Sequence, residues 1–261
     1  MRGRVLVIAG SDSGGGAGLQ ADIKAVMAMG GYSATAVTAI TAQNTLGVQA
    51  ILPVPAELVR LQIAAVLDDL GADAIKIGML GRADIVAAVA DELETRPRRP
   101  LVLDPVMVAK GGAALLDDDA VLSLRRLLPL ATVLTPNLPE AEALLGCTIA
   151  DPADAARALL RSGPAAVLLK GGHGTGPLVR DVLAHAGGVE EFTSERLETR
   201  HTHGTGCTLA SAIAAGLAQD RPLVDAVRRA LHYVHAAIRT APGFGGGHGP
   251  LNHNAGLVQE R

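Results

Sequence analysis

Tryptophan is absent from this chain of 261 residues, and phenylalanine and tyrosine occur twice each. A flat ring held by such a protein would rest on aliphatic and sulfur side chains rather than on extensive aromatic stacking. Cysteine is equally scarce. Cys147 and Cys207 lie far apart and form no CxxC pair, which suits reduced thiols better than a disulfide framework or a zinc scaffold. Runs of basic residues are missing too. The densest cluster, Arg96-Pro97-Arg98-Arg99, reads as a solvated loop, and a net charge of −3 offers no electrostatic reason to expect nucleic acid. Nor is there a long apolar run. Arg2 and Arg4 flank a short one, but Asp12 and the glycines around it interrupt it before a signal peptide or membrane span could form, so a cytoplasmic protein without membrane contact is expected.

What the chain does have is 49% hydrophobic residues, enough for a large core, and a regular alternation of apolar runs with amphipathic stretches. Strands are predicted at Val5–Ala9, Thr35–Ile40, Ala74–Ile77, Leu101–Leu103, Thr132–Leu134 and Ala165–Leu169. Between them Val59, Ile63, Val66, Leu67 and Leu70 trace one helical face, and Ile85, Val86, Val89 and Leu93 another. Such βαβ alternation predicts an α/β fold with a mostly parallel, doubly wound central sheet and helices on both faces. Within 180–201, Val182-Leu183-Ala184 and Glu191-Phe192-Thr193 suggest a small antiparallel edge. No linker or internal repeat divides the chain, so residues 1–261 are expected to form one domain.

Two glycine-rich turns stand out. The first, Gly10-Ser11-Asp12-Ser13-Gly14-Gly15-Gly16-Ala17-Gly18, separates a strand from a helix-prone segment. Glycine costs about 1 kcal/mol against alanine inside a helix, so five in nine residues favour a turn over a regular element. It is not a P-loop, because Gly18 is followed by Leu19 and Gln20. It matches the dinucleotide fingerprint only weakly, as Gly16-x-Gly18-x-x-Ala21, with no acidic residue between Val37 and Gln43 to hold a ribose. The second turn, His201-Thr202-His203-Gly204-Thr205-Gly206-Cys207-Thr208, runs into the helix-prone Leu209–Ala215. It would aim the N–H groups and positive dipole of a helix start at an anion, with Cys207 alongside. The plainer alternative is a helix capped by Thr205 with Cys207 as a small buried hydrophobe.

In a doubly wound sheet the chemistry gathers beyond the carboxyl ends of the strands. Gln43 in Thr41-Ala42-Gln43-Asn44-Thr45 could read the edge of a nitrogen heterocycle, or could be only a turn residue. Met79 follows the third strand. Asp104, at the mouth of the fourth, suits a metal or phosphate site, or an Asx turn before Pro105. Asn137 and Glu140 fit a helix capping box, which is compatible with oxygen ligation of a hard cation. Lys170, ahead of Gly171 and Gly172, could meet phosphate oxygens. Ala109-Lys110-Gly111-Gly112 is a candidate for a loop that closes over a nucleotide. His232 and His235 favour a structural or polar role over metal binding. Two glycine loops, acidic sites suited to Mg²⁺, a lysine and a helix N-terminus beside a thiol are the components of phosphoryl transfer, and no GxSxG elbow supports a hydrolase.

Taken together, AGSDSGGGAGLQAD, TAQNT, KIGML, LDPVMVAK, TPNLPEAEALLG, LKGGH, HTHGTGCTLASAIAA and GHGPLNH resemble the hydroxymethylpyrimidine/phosphomethylpyrimidine kinases of thiamine biosynthesis, in family order from Ala9 to His253. The resemblance implies a ribokinase-like fold. It also implies ATP-dependent phosphorylation of 4-amino-5-hydroxymethyl-2-methylpyrimidine and then of its monophosphate, with Mg²⁺ as cofactor. By the same match Gln43 would bind the pyrimidine, with Asp22, Met79 and Val106 nearby. Asn137 and Glu140 would belong to the Mg²⁺-linked element, Asp104 would be the acidic residue near metal and phosphates, and Gly204, Thr205 and Gly206 would form the anion hole. Sugar kinases of the superfamily carry an aspartate base where this chain has Cys207, while the pyrimidine kinases it resembles typically carry cysteine. The expectation is that the helix N-terminus lowers the Cys207 pKa and that the thiolate accepts the hydroxymethyl proton. A pyridoxal or pyridoxine kinase of the same fold is the alternative, and a ligand sensor that has lost transfer is a third. A homodimer is left open.

Overall fold

A computed structural model describes residues 2–107 and 118–256. The segment Ala109–Gly112, singled out above as a closing loop, lies outside the described residues. The strands are β1 (Arg4–Ala9), β2 (Tyr32–Val37), β3 (Ala39–Asn44), β4 (Gly47–Pro53), β5 (Ala74–Ile77), β6 (Leu101–Leu103), β7 (Val133–Leu134), β8 (Ala166–Leu169), β9 (Leu178–His185) and β10 (Gly188–Glu195). The helices are α1 (Gly18–Ala28), α2 (Ala56–Asp68), α3 (Ala83–Glu94), α4 (Asp118–Leu124), α5 (Leu138–Leu145), α6 (Pro152–Leu160), α7 (Thr205–Ala218) and α8 (Leu223–Arg239). Among the described residues no helix is long and apolar enough to cross a membrane.

The main sheet runs β10-β9-β8-β7-β6-β5-β1-β2, parallel from β2 through to β8 and antiparallel at β9 and β10. The strand order reverses between β1 and β5, and the first glycine loop leaves β1 at that switch point, where open α/β sheets form a ligand crevice. Alternate residues of β1 serve opposite faces. Leu6 and Ile8 join a core with the buried faces of α2, α3, α5 and α6, while Val5, Val7 and Ala9 join another with α1, α7 and α8. Helix α7 is almost wholly apolar, and every residue from Thr208 to Ala218 is buried. It packs on the sheet between α1 and α8.

The expected strand Thr35–Ile40 is corrected: the chain breaks at Thr38. There the backbone N–H bonds to Ala9 O at 3.0 Å and the hydroxyl donates to Met79 O at 2.7 Å. Pinned to the ends of β1 and β5, the chain leaves the sheet and forms a separate antiparallel hairpin of β3 and β4. The β-prone residues of Thr35–Thr41, threonine at every third position with apolar residues between, read as continuous strand because no glycine or proline marks the break. A second correction concerns Leu70, which lies beyond the end of α2 and is exposed.

Candidate active site

The first glycine loop is built around a carboxylate. Asp12, 2% exposed, accepts the N–H groups of Gly14 at 2.8 Å, Gly16 at 3.0 Å and Ala17 at 2.8 Å, and meets His203 Nε2 at 2.8 Å. Burial works to raise its pKa, but the bonds from His203, Ala17 and Gly14 prevail and hold it below the usual carboxylate range. The loop closes onto α1, where Gly18 adopts a positive φ of 53° and a Cβ would collide with Gly10 O.

The second turn arrives at the same place. Gly204, at φ 81°, is the N-cap of α7, and a Cβ there would collide with the carbonyl oxygen of Gly16. The plainer alternative of a Thr205 cap is therefore not what forms. No side chain caps α7, and the Thr205 hydroxyl instead donates to Thr202 O at 2.8 Å. Gly206 faces Lys170 and Asp104: a Cβ on it would stand 3.2 Å from Lys170 Nζ and 3.5 Å from Asp104 Oδ2. Lys170 Nζ donates to Asp104 Oδ1 at 2.9 Å, with Glu140 Oε2 at 3.8 Å, and Thr135 donates to the same Asp104 oxygen at 3.2 Å.

Asn137 and Glu140 do form a capping box at the start of α5, with Asn137 N–H on Glu140 Oε2 at 2.8 Å and Glu140 N–H on Asn137 Oδ1 at 2.9 Å. Burial pushes the Glu140 carboxyl up to about 7 against the pull of Lys170. Burial also works against the Lys170 charge, but Asp104 and Glu140 outweigh it and hold Lys170 above the usual lysine range. Beside Lys170 opens a cleft of about 430 Å³ whose lining includes Leu138, Leu169, Gly171, Thr175 and Arg180. Asp181 accepts the N–H of Gly171 at 2.8 Å and fixes the turn between Lys170 and the cleft.

On the other side of the first loop stands Gln43, at a register shift of the β3–β4 hairpin. Bulges of this kind re-aim a side chain. Its backbone exchanges two hydrogen bonds with the Ser13 hydroxyl, at 2.7 and 2.8 Å. Thr41 donates to Gln43 Oε1 at 3.4 Å, and Gln43 Nε2 lies 3.5 Å from His203 Nε2. Met79 is buried against Gly10, where a Cβ would collide with its terminal methyl. Val106 is half-buried just past β6, its N–H bonded to Asp104 O at 2.8 Å.

Asp22 lies deeper than the other candidates. It is fully buried, receives Lys76 Nζ at 2.9 Å on each oxygen and Ser211 Oγ at 2.7 Å, and so lies in the interior rather than on an open surface. Above it, Gly18 N–H bonds to the Cys207 sulfur. The pairs Gly18/Asp22 on α1 and Cys207/Ser211 on α7 are each one turn apart, so the two helices face each other with two rungs. The expected lowering of Cys207 is corrected. Burial pushes its thiol up to about 12 despite the pull of Lys76, with Asp22 and Asp104 acting against ionisation.

Sequence reading missed Asp12, His203, Lys76 and Ser211. Lys76 left a signal, as a lone cation inside the four-residue apolar strand β5, and it is completely buried. Burial disfavours its charge, but Asp22 and the neighbouring Cys207 and Asp104 prevail and hold it above the usual lysine range.

Comparison with known proteins gives the family and the fold. The family described as phosphomethylpyrimidine kinase matches residues 12–252. A hydroxymethylpyrimidine/phosphomethylpyrimidine kinase of Haemophilus influenzae is 50% identical over 96% of this chain and 96% of its own. A thiamine biosynthesis bifunctional protein of Geobacter sulfurreducens is 52% identical over 97% of this chain, which spans 52% of that longer protein. The crystal structure of an ADP complex of Bacillus subtilis pyridoxal kinase superposes with a TM-score of 0.91 at 36% identity, covering 99% of this chain and all of the other.

Proposed function

Because the chain belongs to the phosphomethylpyrimidine kinase family, we infer that it phosphorylates 4-amino-5-hydroxymethyl-2-methylpyrimidine with ATP and then phosphorylates the monophosphate to the diphosphate. One observation carries the reading: the Gln43 side of the first glycine loop and the anion-binding turn at Gly204–Gly206 meet across Gly16 and His203. A small ring held at Gln43 would thereby bring its hydroxymethyl group to the start of α7. Gln43 offers the amide, while Met79 and Val106 supply the sulfur and aliphatic contacts that an aromatic-poor chain requires. The cleft beside Lys170 supports nucleotide binding, with the terminal phosphoryl group directed at Gly206.

In the first transfer the hydroxymethyl oxygen bonds to the terminal phosphorus, the bond to the ADP oxygen breaks, and the hydroxyl proton passes to the Cys207 thiolate or to water. In the second, a phosphate oxygen of the monophosphate is the nucleophile. Lys170 and the N–H groups at the start of α7 would stabilise the charge on the transferred group, which is most of what phosphoryl transfer needs. The hard oxygen donors of Asn137 and Glu140, beside a lysine suited to phosphate, fit Mg²⁺ held mostly by water and nucleotide. Bound there, Mg²⁺ would neutralise phosphate charge. We place the enzyme in the cytoplasm, where Cys147 and Cys207 stay reduced. We also propose a homodimer, supported by Ile40, Leu46, Ile51 and Leu52 exposed on a hairpin without charged residues; light scattering that returns the mass of one chain would refute it.

Pyridoxal is the competing substrate, supported by the likeness to the B. subtilis enzyme. Steady-state turnover with the hydroxymethylpyrimidine, its monophosphate and pyridoxal separates the readings. Turnover of both pyrimidines is expected. Turnover of pyridoxal alone would overturn the assignment, and no ADP release with any of the three would revive the sensor.

A further inference from the structure

Three segments remote in the chain meet at His203, two at its imidazole and one at its backbone. From the first loop comes Asp12 Oδ2, at 2.8 Å from Nε2; from the hairpin comes the Gln43 amide, at 3.5 Å; and from the C-terminal stretch comes Gly249 O, accepting the His203 backbone N–H at 3.1 Å. The histidine is 7% exposed, and a Cβ on Gly16 would lie 2.6 Å from its Cδ2, so the first loop fits around the ring. The C-terminal stretch also grips the hairpin, because His248 N–H bonds to Thr45 O at 3.0 Å. Gly204, where the chain turns into α7, is the very next residue.

We propose that Asp12 and His203 are a positioning couple that fixes the spacing between Gln43 and the anion-binding turn, and so decides whether the substrate alcohol or water receives the phosphoryl group. Asp12 is suited to this because its carboxylate already gathers three N–H groups of the first loop. Tying His203 to it therefore ties one whole loop to the other. Neither residue supplies charge to the reacting atoms; both act through where the two loops stand. A misplacement of about 1 Å in a reacting pair costs on the order of 100-fold in rate. A site whose alcohol is misplaced lets water attack the terminal phosphorus, giving ADP and inorganic phosphate in place of ADP and the pyrimidine phosphate.

The inference rests on the kinase reading, and the experiment separates the two. His203→Ala removes the donor to Asp12, whereas His203→Gln keeps an N–H of similar reach. In His203→Ala, kcat with the hydroxymethylpyrimidine is expected to fall about 100-fold while KM for ATP stays within about twofold, and ADP released per pyrimidine phosphate should rise above one. His203→Gln should bring the ratio back towards one. Hydrogen exchange of the Gly16 and Ala17 amides should be faster in His203→Ala whatever the substrate, so this readout judges the tie even if the unsubstituted chain fails to phosphorylate the pyrimidine. A ratio of one together with near-native kcat in His203→Ala, or exchange indistinguishable from the unsubstituted chain, overturns the proposal. So does a loss that follows the melting temperature and is as large in His203→Gln.

Discussion

Replacing Lys76 by methionine tests whether the pair beneath Cys207 is held together by its charges. The substitution keeps most of the side-chain volume in β5 and removes the ammonium group from Asp22, which is left fully buried with Ser211 as its remaining donor. A buried carboxylate without its cation takes up a proton rather than remain charged. For a carboxyl with an ordinary pKa near 3.9, full protonation at pH 7 costs about 1.4 kcal/mol per unit over about three units, or about 4 kcal/mol. This falls inside the roughly 3–5 kcal/mol typical of breaking a buried pair from one side. The sign follows from linkage. In the variant Asp22 has a folded pKa above its unfolded one, so the penalty is smallest below about pH 4, where the unfolded chain is protonated too, and grows as pH rises.

With no tryptophan to report unfolding, urea titration followed by far-UV circular dichroism is the suitable assay, run at pH 5 and pH 7. Lys76→Met should lose less stability at pH 5 than at pH 7, by at most about 2–3 kcal/mol, since burial already holds Asp22 above the usual carboxylate range in the unsubstituted chain. Adding Asp22→Leu removes the stranded carboxyl and should recover much of the loss, since replacing both members of a buried pair is often close to neutral. A Lys76→Met penalty below about 1 kcal/mol at pH 7, or one unchanged between the two pH values, would refute the reasoning.

Gly204→Ala forces a Cβ against Gly16 O at a φ of 81°. The left-handed backbone alone costs about 1–2 kcal/mol and the collision with Gly16 O adds to it, so the melting temperature should drop by at least about 3–6 °C, while pyrimidine turnover is lost far more than proportionately. If Cys207 accepts the hydroxymethyl proton, a thiol pushed up to about 12 makes kcat/KM climb with pH through the neutral and alkaline range. A flat profile, or full turnover in Cys207→Ser, leaves positioning alone to Cys207. Glu140→Gln preserves the capping box, since glutamine also accepts from Asn137 N–H. The Glu140 carboxyl, raised to about 7, stabilises the fold fully below its unfolded pKa near 4.3 and loses that contribution as pH rises through 7. The variant should therefore gain on the unsubstituted chain by about 2–3 kcal/mol between pH 5 and pH 8 in urea unfolding, and a difference constant across that range would count against the assignment.

The parallel sheet was legible because its strands are buried on both sides and so read as short continuous apolar runs. Ala74–Ile77 and Leu101–Leu103 coincide with β5 and β6, and the antiparallel edge fell where Val182 and Phe192 suggested. The capping box at Asn137 was legible for a different reason, as both of its hydrogen bonds are local. The hairpin of β3 and β4 was not, because its separation from β2 is decided by Thr38 bonding to Ala9 and Met79, contacts that exist only once β1 and β5 are side by side. A run of threonine and small or branched apolar residues satisfies either pairing equally well.

The same distinction governs the candidate site. Glycine loops, a lysine before glycines and an amide at a strand end announce themselves by residue type, since each supplies chemistry on its own. Asp12 and Lys76 do not, since each acquires its role from a partner far away in the chain: His203 for one, Asp22 for the other. The helix-start argument for Cys207 failed at this level. The dipole of α7 is a local property and favours ionisation, but the desolvation of the half-buried thiol, the largest influence on it, and the nearby Asp22 and Asp104 carboxylates come from tertiary packing. Where a local field and a tertiary desolvation act on one group, the residue type and its position in a helix therefore give the first and say nothing of the second.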